Sequence, residues 1–95
     1  MNARSVGAWF RREDYPAIKA LSPTEYNLPD TFDEWNEIAT SQVAEMESNG
    51  MLVEKVIINP QEFALWCKTR NVKPDGPSRA RFAIEKDAAQ QKGTA

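Results

Sequence analysis

Ninety-five residues with 41% apolar content, three Trp, four Phe and two Tyr suit one packed core, because two cores could not both be filled at this length and a disordered chain would carry fewer aromatics. Histidine is absent and Cys67 is the only cysteine, which removes the commonest general base, the commonest metal ligand, an intrachain disulfide and a zinc-binding cysteine pair. The net charge of −2 hides a division: Glu13 to Glu62 holds eleven acids against two lysines, Lys68 to Lys92 holds seven bases against three acids, and Arg4, Arg11 and Arg12 stand near the start, so acidic and basic surfaces are expected on one molecule.

No apolar run approaches the roughly 20 residues that cross a bilayer, and Met1-Asn2-Ala3-Arg4 leads into no signal-peptide core. The expectation is a cytoplasmic single domain over residues 1–95 with no membrane contact, flexible at 1–4 and 90–95. Ser5 to Arg11 alternates, with Val6, Ala8 and Phe10 on one face of a predicted strand. Asp14 offers an N-cap before Tyr15-Pro16, predicting a short helix to about Leu21. Pro23 and Pro29 make Ser22 to Asp30 an ordered loop, with Tyr26 and Leu28 turned inward.

Thr31-Phe32-Asp33-Glu34 has the form of a capping box. The helix it starts gathers Phe32, Trp35, Ile38, Ala39, Val43 and Met46 in one arc and ends at Asn49-Gly50. Met51 to Ile58 is β-branched and apolar apart from Glu54 and Lys55, predicting a strand covered on both faces near its ends. Asn59-Pro60-Gln61-Glu62 repeats the helix-start chemistry, and the helix that follows buries Phe63, Trp66 and Cys67 and stops near Asn71. Lys73 to Pro77 reads as a turn. A last helix from about Pro77 aligns Ala80, Ala83, Ile84 and Ala88, before a polar tail from Gln90.

The predicted architecture is a small two-layer α/β domain in the order β-α-α-β-α-α. Strands joined by two helices can pair in parallel, with a right-handed crossover. Two strands make a marginal sheet with open edges, to be covered by a loop or completed by a second copy in a homodimer.

Trp9-Phe10-Arg11-Arg12-Glu13-Asp14-Tyr15-Pro16, Leu28-Pro29-Asp30-Thr31-Phe32-Asp33-Glu34-Trp35 and Pro60-Gln61-Glu62-Phe63-Ala64-Leu65-Trp66-Cys67 resemble parts of small uncharacterised bacterial proteins, over roughly Trp9 to Ile84. The resemblance implies a bacterial, cytoplasmic, one-domain protein and carries no activity with it.

Four scattered glycines make no phosphate-cradling loop. Asp30, Asp33, Glu34 and Glu37 are oxygen donors of the type hard cations take, but acids at a capped helix start are explained by the helix dipole. No metal or cofactor is therefore expected, and no spacing marks a nucleophile and base. Leu65 and Phe82 fall off the main apolar stripes of their helices, Phe82 on the side of Arg79 and Lys86. Each must find a second packing surface or meet a partner. The leading expectation is a protein-interaction or self-association domain using Leu65, Phe82, Arg79 and Lys86. The alternative is a nucleic-acid-binding accessory protein whose contacts are Arg79, Arg81, Lys86, Arg11 and Arg12.

Overall fold

A computed structural model describes residues 3–22 and 28–93. The chain forms β1 (Arg4–Trp9), a 3-10 turn (Arg12–Asp14), α1 (Tyr15–Leu21), α2 (Phe32–Ser48), β2 (Leu52–Ile57), α3 (Pro60–Arg70) and α4 (Gly76–Gly93). The strands pair in parallel, from Arg4 opposite Leu52 to Trp9 opposite Ile57, a pairing that requires the long crossover α1 and α2 provide. The order and the mixed α/β class are those expected from the sequence. Tyr26 lies outside the described residues.

Local chemistry sets most boundaries. Thr31 Oγ1 accepts the Glu34 backbone N–H at 3.1 Å, the N-cap half of the expected box, and the Glu34 carboxylate accepts the Thr31 hydroxyl at 2.9 Å. Gly50 at φ +85° takes the left-handed residue after α2. Asn59 Oδ1 accepts the Glu62 N–H at 3.0 Å ahead of Pro60, and Asn71 ends α3 at φ 56°. Asp14 departs from expectation. Its carboxylate caps nothing and instead takes Arg11 Nε at 2.8 Å, while the Asp14 and Tyr15 N–H groups both bond to the Arg11 carbonyl and wind the entry to α1 as a 3-10 turn. That turn also ends β1 at Trp9, short of the predicted Arg11.

The core joins Phe10, Tyr15, Ile18, Leu28, Trp35, Val56, Ile58, Phe63, Cys67, Phe82 and Ala83. Helices cover both faces of the sheet, which widens the two-layer description. The Trp9 ring meets Trp35 of α2 at 5.0 Å. On the opposite face, to which Arg4 and Ala8 point because strand side chains alternate, the Arg4 guanidinium bonds to Asp87 of α4.

The orientation of α4 is the main correction. Ala83 is buried as predicted, but Ile84 is 54% exposed, Ala80 and Ala88 face outward, and Arg79, Phe82 and Asp87 point in. Burying a phenylalanine is worth ~1.5–3 kcal/mol, more than an alanine methyl can return, and Phe82 finds the Phe63 and Trp66 rings at 5.5 and 5.6 Å. That docking rotates the alanine stripe to the surface. Ile38 of the predicted α2 arc is likewise half exposed, as are Leu52 and Ile57 of β2, so over the predicted strand Met51–Ile58 burial is complete only at Val56 and at Ile58, just past the end of β2.

Candidate interaction surface

Helical spacing brings Glu62, Leu65, Trp66, Thr69 and Arg70 to one flank of α3. Against Phe82 of α4 they line an open groove of about 390 Å³. Phe82 is its floor, 7% exposed, and Leu65 stands at its mouth, 65% exposed. The Arg70 guanidinium lies 4.6 Å over the Trp66 ring and that of Arg81 lies 5.8 Å from it. These stacked cations hold the indole upright as the groove wall.

Glu85 ties the two helices together. Its carboxylate accepts Arg70 Nη2 at 2.6 Å and Nη1 at 2.9 Å, Arg81 Nε at 3.3 Å and Trp66 Nε1 at 3.4 Å. Loss of water on this side pushes the Glu85 carboxyl upward, but the Trp66 hydrogen bond and the charges and hydrogen bonds of the two arginines outweigh it and hold the group below its usual range. A carboxylate approaching from outside would meet the same arginines.

The residues singled out from the sequence are not all gathered here. Leu65 and Phe82 share the groove. Lys86 lies behind Phe82, its ammonium 5.9 Å from the Phe82 ring, 3.4 Å from Glu62 and 3.5 Å from the Ile57 carbonyl. Arg79 turns away into the interior, 6% exposed and 3.5 Å from the Pro74 carbonyl. Arg11 and Arg12 sit at the start of α1. There Arg11 pairs with Asp14, and Arg12 pairs with Asp33 at 2.7 Å while stacking 4.6 Å over Phe32. Of the five cations proposed to touch nucleic acid, only Arg81 and Lys86 lie near the groove's Trp66 and Phe82 rings, and each faces a carboxylate.

Sequence reasoning passed over Trp66, Arg70 and Glu85 as parts of this surface. The Arg81–Glu85 pair, four residues apart on one helix, was readable; the Arg70–Glu85 pair, across two helices, was not. Cys67 is buried, with its thiol 4.0 Å from the Lys73 carbonyl, and burial pushes that thiol up, away from the reactive thiolate. Among the described residues no group of three or more acids and cysteines is placed to hold a metal, and no helix is long and apolar enough to cross a membrane.

Compared with protein-family models, curated proteins and solved structures, the chain matches none.

Proposed function

We propose that this chain is a small protein-interaction domain without catalysis of its own, and that the groove between α3 and α4 docks an acidic segment of a protein partner through one apolar anchor. The observation that carries this is Leu65, exposed at the mouth of an aromatic-floored groove that Arg70 and Trp66 line, with Arg81 also over the Trp66 ring. Aromatic side chains and arginine are what interaction surfaces concentrate. The excess of base over acid from Lys68 to Lys92 favours an acidic occupant. A lone, buried thiol suits a reducing compartment, so a cytoplasmic setting belongs to the proposal. The nucleic-acid reading has less support, because its cations are divided among separate places, with Arg79 in the interior and Arg11 and Arg12 at the entry to α1.

The test is NMR titration of the isotope-labelled chain with a short acidic peptide carrying a single leucine or phenylalanine, a basic peptide of the same length, and single-stranded DNA. The expected result is that only the acidic peptide shifts the Leu65, Thr69 and Arg70 amides, that the effect weakens with salt, and that Leu65→Asp abolishes it. Silence with the acidic peptide, or binding of DNA with a steep salt dependence, would overturn the reading.

A further inference from the structure

The two edges of the sheet are unlike. The Leu52 N–H donates to the Ala3 carbonyl at 2.8 Å and the Ile58 N–H to the Trp9 carbonyl at 2.9 Å. Since backbone groups alternate along a strand, Ser5, Gly7 and Trp9 turn theirs toward β2, and the N–H and C=O of Arg4, Val6 and Ala8 point outward. Among the described residues no backbone hydrogen bond reaches them. On the far side of the sheet, β2 turns out Val53, Lys55 and Ile57. There a lysine occupies the centre of the edge and Lys86 Nζ lies 3.5 Å from the Ile57 carbonyl, the charged protection that discourages another strand from adding.

Among the described residues the β1 edge carries charge only at its first residue, Arg4, whose guanidinium is tied to Asp87. Ser5-Val6-Gly7-Ala8-Trp9-Phe10 carries no charge. A groove of about 210 Å³ runs along it, lined by residues that include Val6 and Ala8 of the strand, Trp35 and Ala80. Ala80 begins the stripe the sequence marked as apolar, and Ile84 and Ala88 continue it at four-residue spacing, all three exposed. Among the described residues, an uncharged stretch of strand edge therefore lies beside Ala80, the first residue of an exposed apolar helix stripe.

We propose that a second copy of this chain covers both. The two β1 strands pair antiparallel about Val6, giving a four-stranded sheet in the order β2-β1-β1-β2, and the two-fold axis brings the Ala80, Ile84 and Ala88 stripes of the two α4 helices together. The strand is self-complementary in this register. Val6 meets Val6 of the second copy, Ser5 meets Gly7 and Arg4 meets Ala8, with no like charges opposed. Pairing β2 with itself about its centre would set Lys55 against Lys55 or Glu54 against Glu54, which is destabilising. The interface is isologous and closes at two chains. It is independent of the α3–α4 groove, and Leu65 takes no part in it.

The experiment is sedimentation equilibrium of the full chain across concentration, with hydrogen exchange read at single amides. A monomer–dimer equilibrium is expected, in which the Val6 and Ala8 amides become slow only as dimer forms. Ile84→Lys changes an exposed residue and Val6→Pro removes an N–H that the β1–β2 ladder does not use. Each should weaken dimerisation by ~10-fold or more, as loss of a central contact does, with the far-UV spectrum unchanged. Lys55→Ala should leave the dimer intact. A monomer at every concentration up to ~1 mM, the weak limit of measurable association, would overturn the proposal, as would a dimer that survives both variants or Val6 and Ala8 amides that exchange freely within the dimer.

Discussion

The Arg4 guanidinium bonds to both carboxylate oxygens of Asp87 at 2.9 Å, joining the first residue of β1 to the second half of α4 across 83 positions of sequence. Asp87 is 9% exposed, so this is a partly desolvated pair rather than a surface contact, and Arg4 also lies 3.9 Å from Glu54 on the adjacent strand. The geometry fixes how far α4 can slide along the sheet, which in turn holds Phe82 over Phe63 and Trp66.

Arg4→Ala is therefore expected to destabilise the fold by ~1.5–3 kcal/mol, the range for hydrogen bonds to charged groups. Arg4→Lys should recover only part of this, because an ammonium cannot reproduce the two-pronged contact. Urea denaturation of Arg4→Ala, Asp87→Ala and the double variant checks it. Coupling of ~0.5 kcal/mol or more is expected, and strict additivity would show that the pair contributes nothing as a pair.

Leu65 and Phe82 share one groove but should separate cleanly in stability. Phe82→Ala empties a site between two aromatic rings and is expected to cost ~3–5 kcal/mol. Leu65→Ala, two-thirds exposed, should change stability by less than ~0.5 kcal/mol. Thermal or urea unfolding of the two variants decides this, and equal losses would mean that Leu65 packs inward in solution.

What could be read in advance was chemistry confined to a few neighbouring residues. Thr31 with Glu34, Asn59 with Pro60 and Glu62, and Gly50 announce helix ends because their partners lie within four positions. The parallel pairing followed from the length of the crossover. The inner face of α4 was hidden because its buried positions include Arg79 and Asp87, which any apolar-stripe reading sends outward, whereas Ala80, Ile84 and Ala88 look like the core. Asp14 misled for a related reason: a good capping residue three positions after an arginine has a competing partner. In the groove, the position of Leu65 off its helix stripe was visible. The contacts that give the groove its walls, Arg70 with Glu85 and Trp66 with Phe82, join helices whose packing no local pattern encodes.

Asp75 shows how a cap can be missed inside a turn. Its Oδ1 accepts the Ser78 N–H at 3.0 Å at the start of α4, and that bond, aided by the Ser78 hydroxyl and Arg79, holds the carboxyl below its usual value despite some loss of water. A carboxyl depressed in the folded state contributes stability at pH above its unfolded value, ~3.9, and loses it as pH falls through the folded one. Asp75→Ala should cost ~1 kcal/mol at neutral pH. Asp75→Asn, which keeps the acceptor oxygen, should cost less and remove this carboxyl's share of the acid sensitivity, measurable as a shallower fall in urea midpoint between about pH 5 and pH 2.

At the alkaline end the signs reverse. Burial raises both Cys67 and Tyr15, the latter despite Arg79 nearby, and the Tyr15 hydroxyl donates to the Pro29 carbonyl at 2.6 Å, a bond that needs its proton. A group raised in the folded state holds its proton more tightly there. Its contribution is full below the unfolded value, ~8.5 for the thiol and ~10 for the phenol, and is lost as pH rises through the folded one. The urea midpoint should therefore fall from about pH 8.5 upward, first through Cys67 and then through Tyr15. Cys67→Ala should flatten the first part of that fall and Tyr15→Phe the second. In the native protein at neutral pH, a thiol reagent should modify Cys67 only at the rate at which the fold opens, so immediate labelling of the folded chain would show that the thiol is not enclosed by Phe63 and its neighbours.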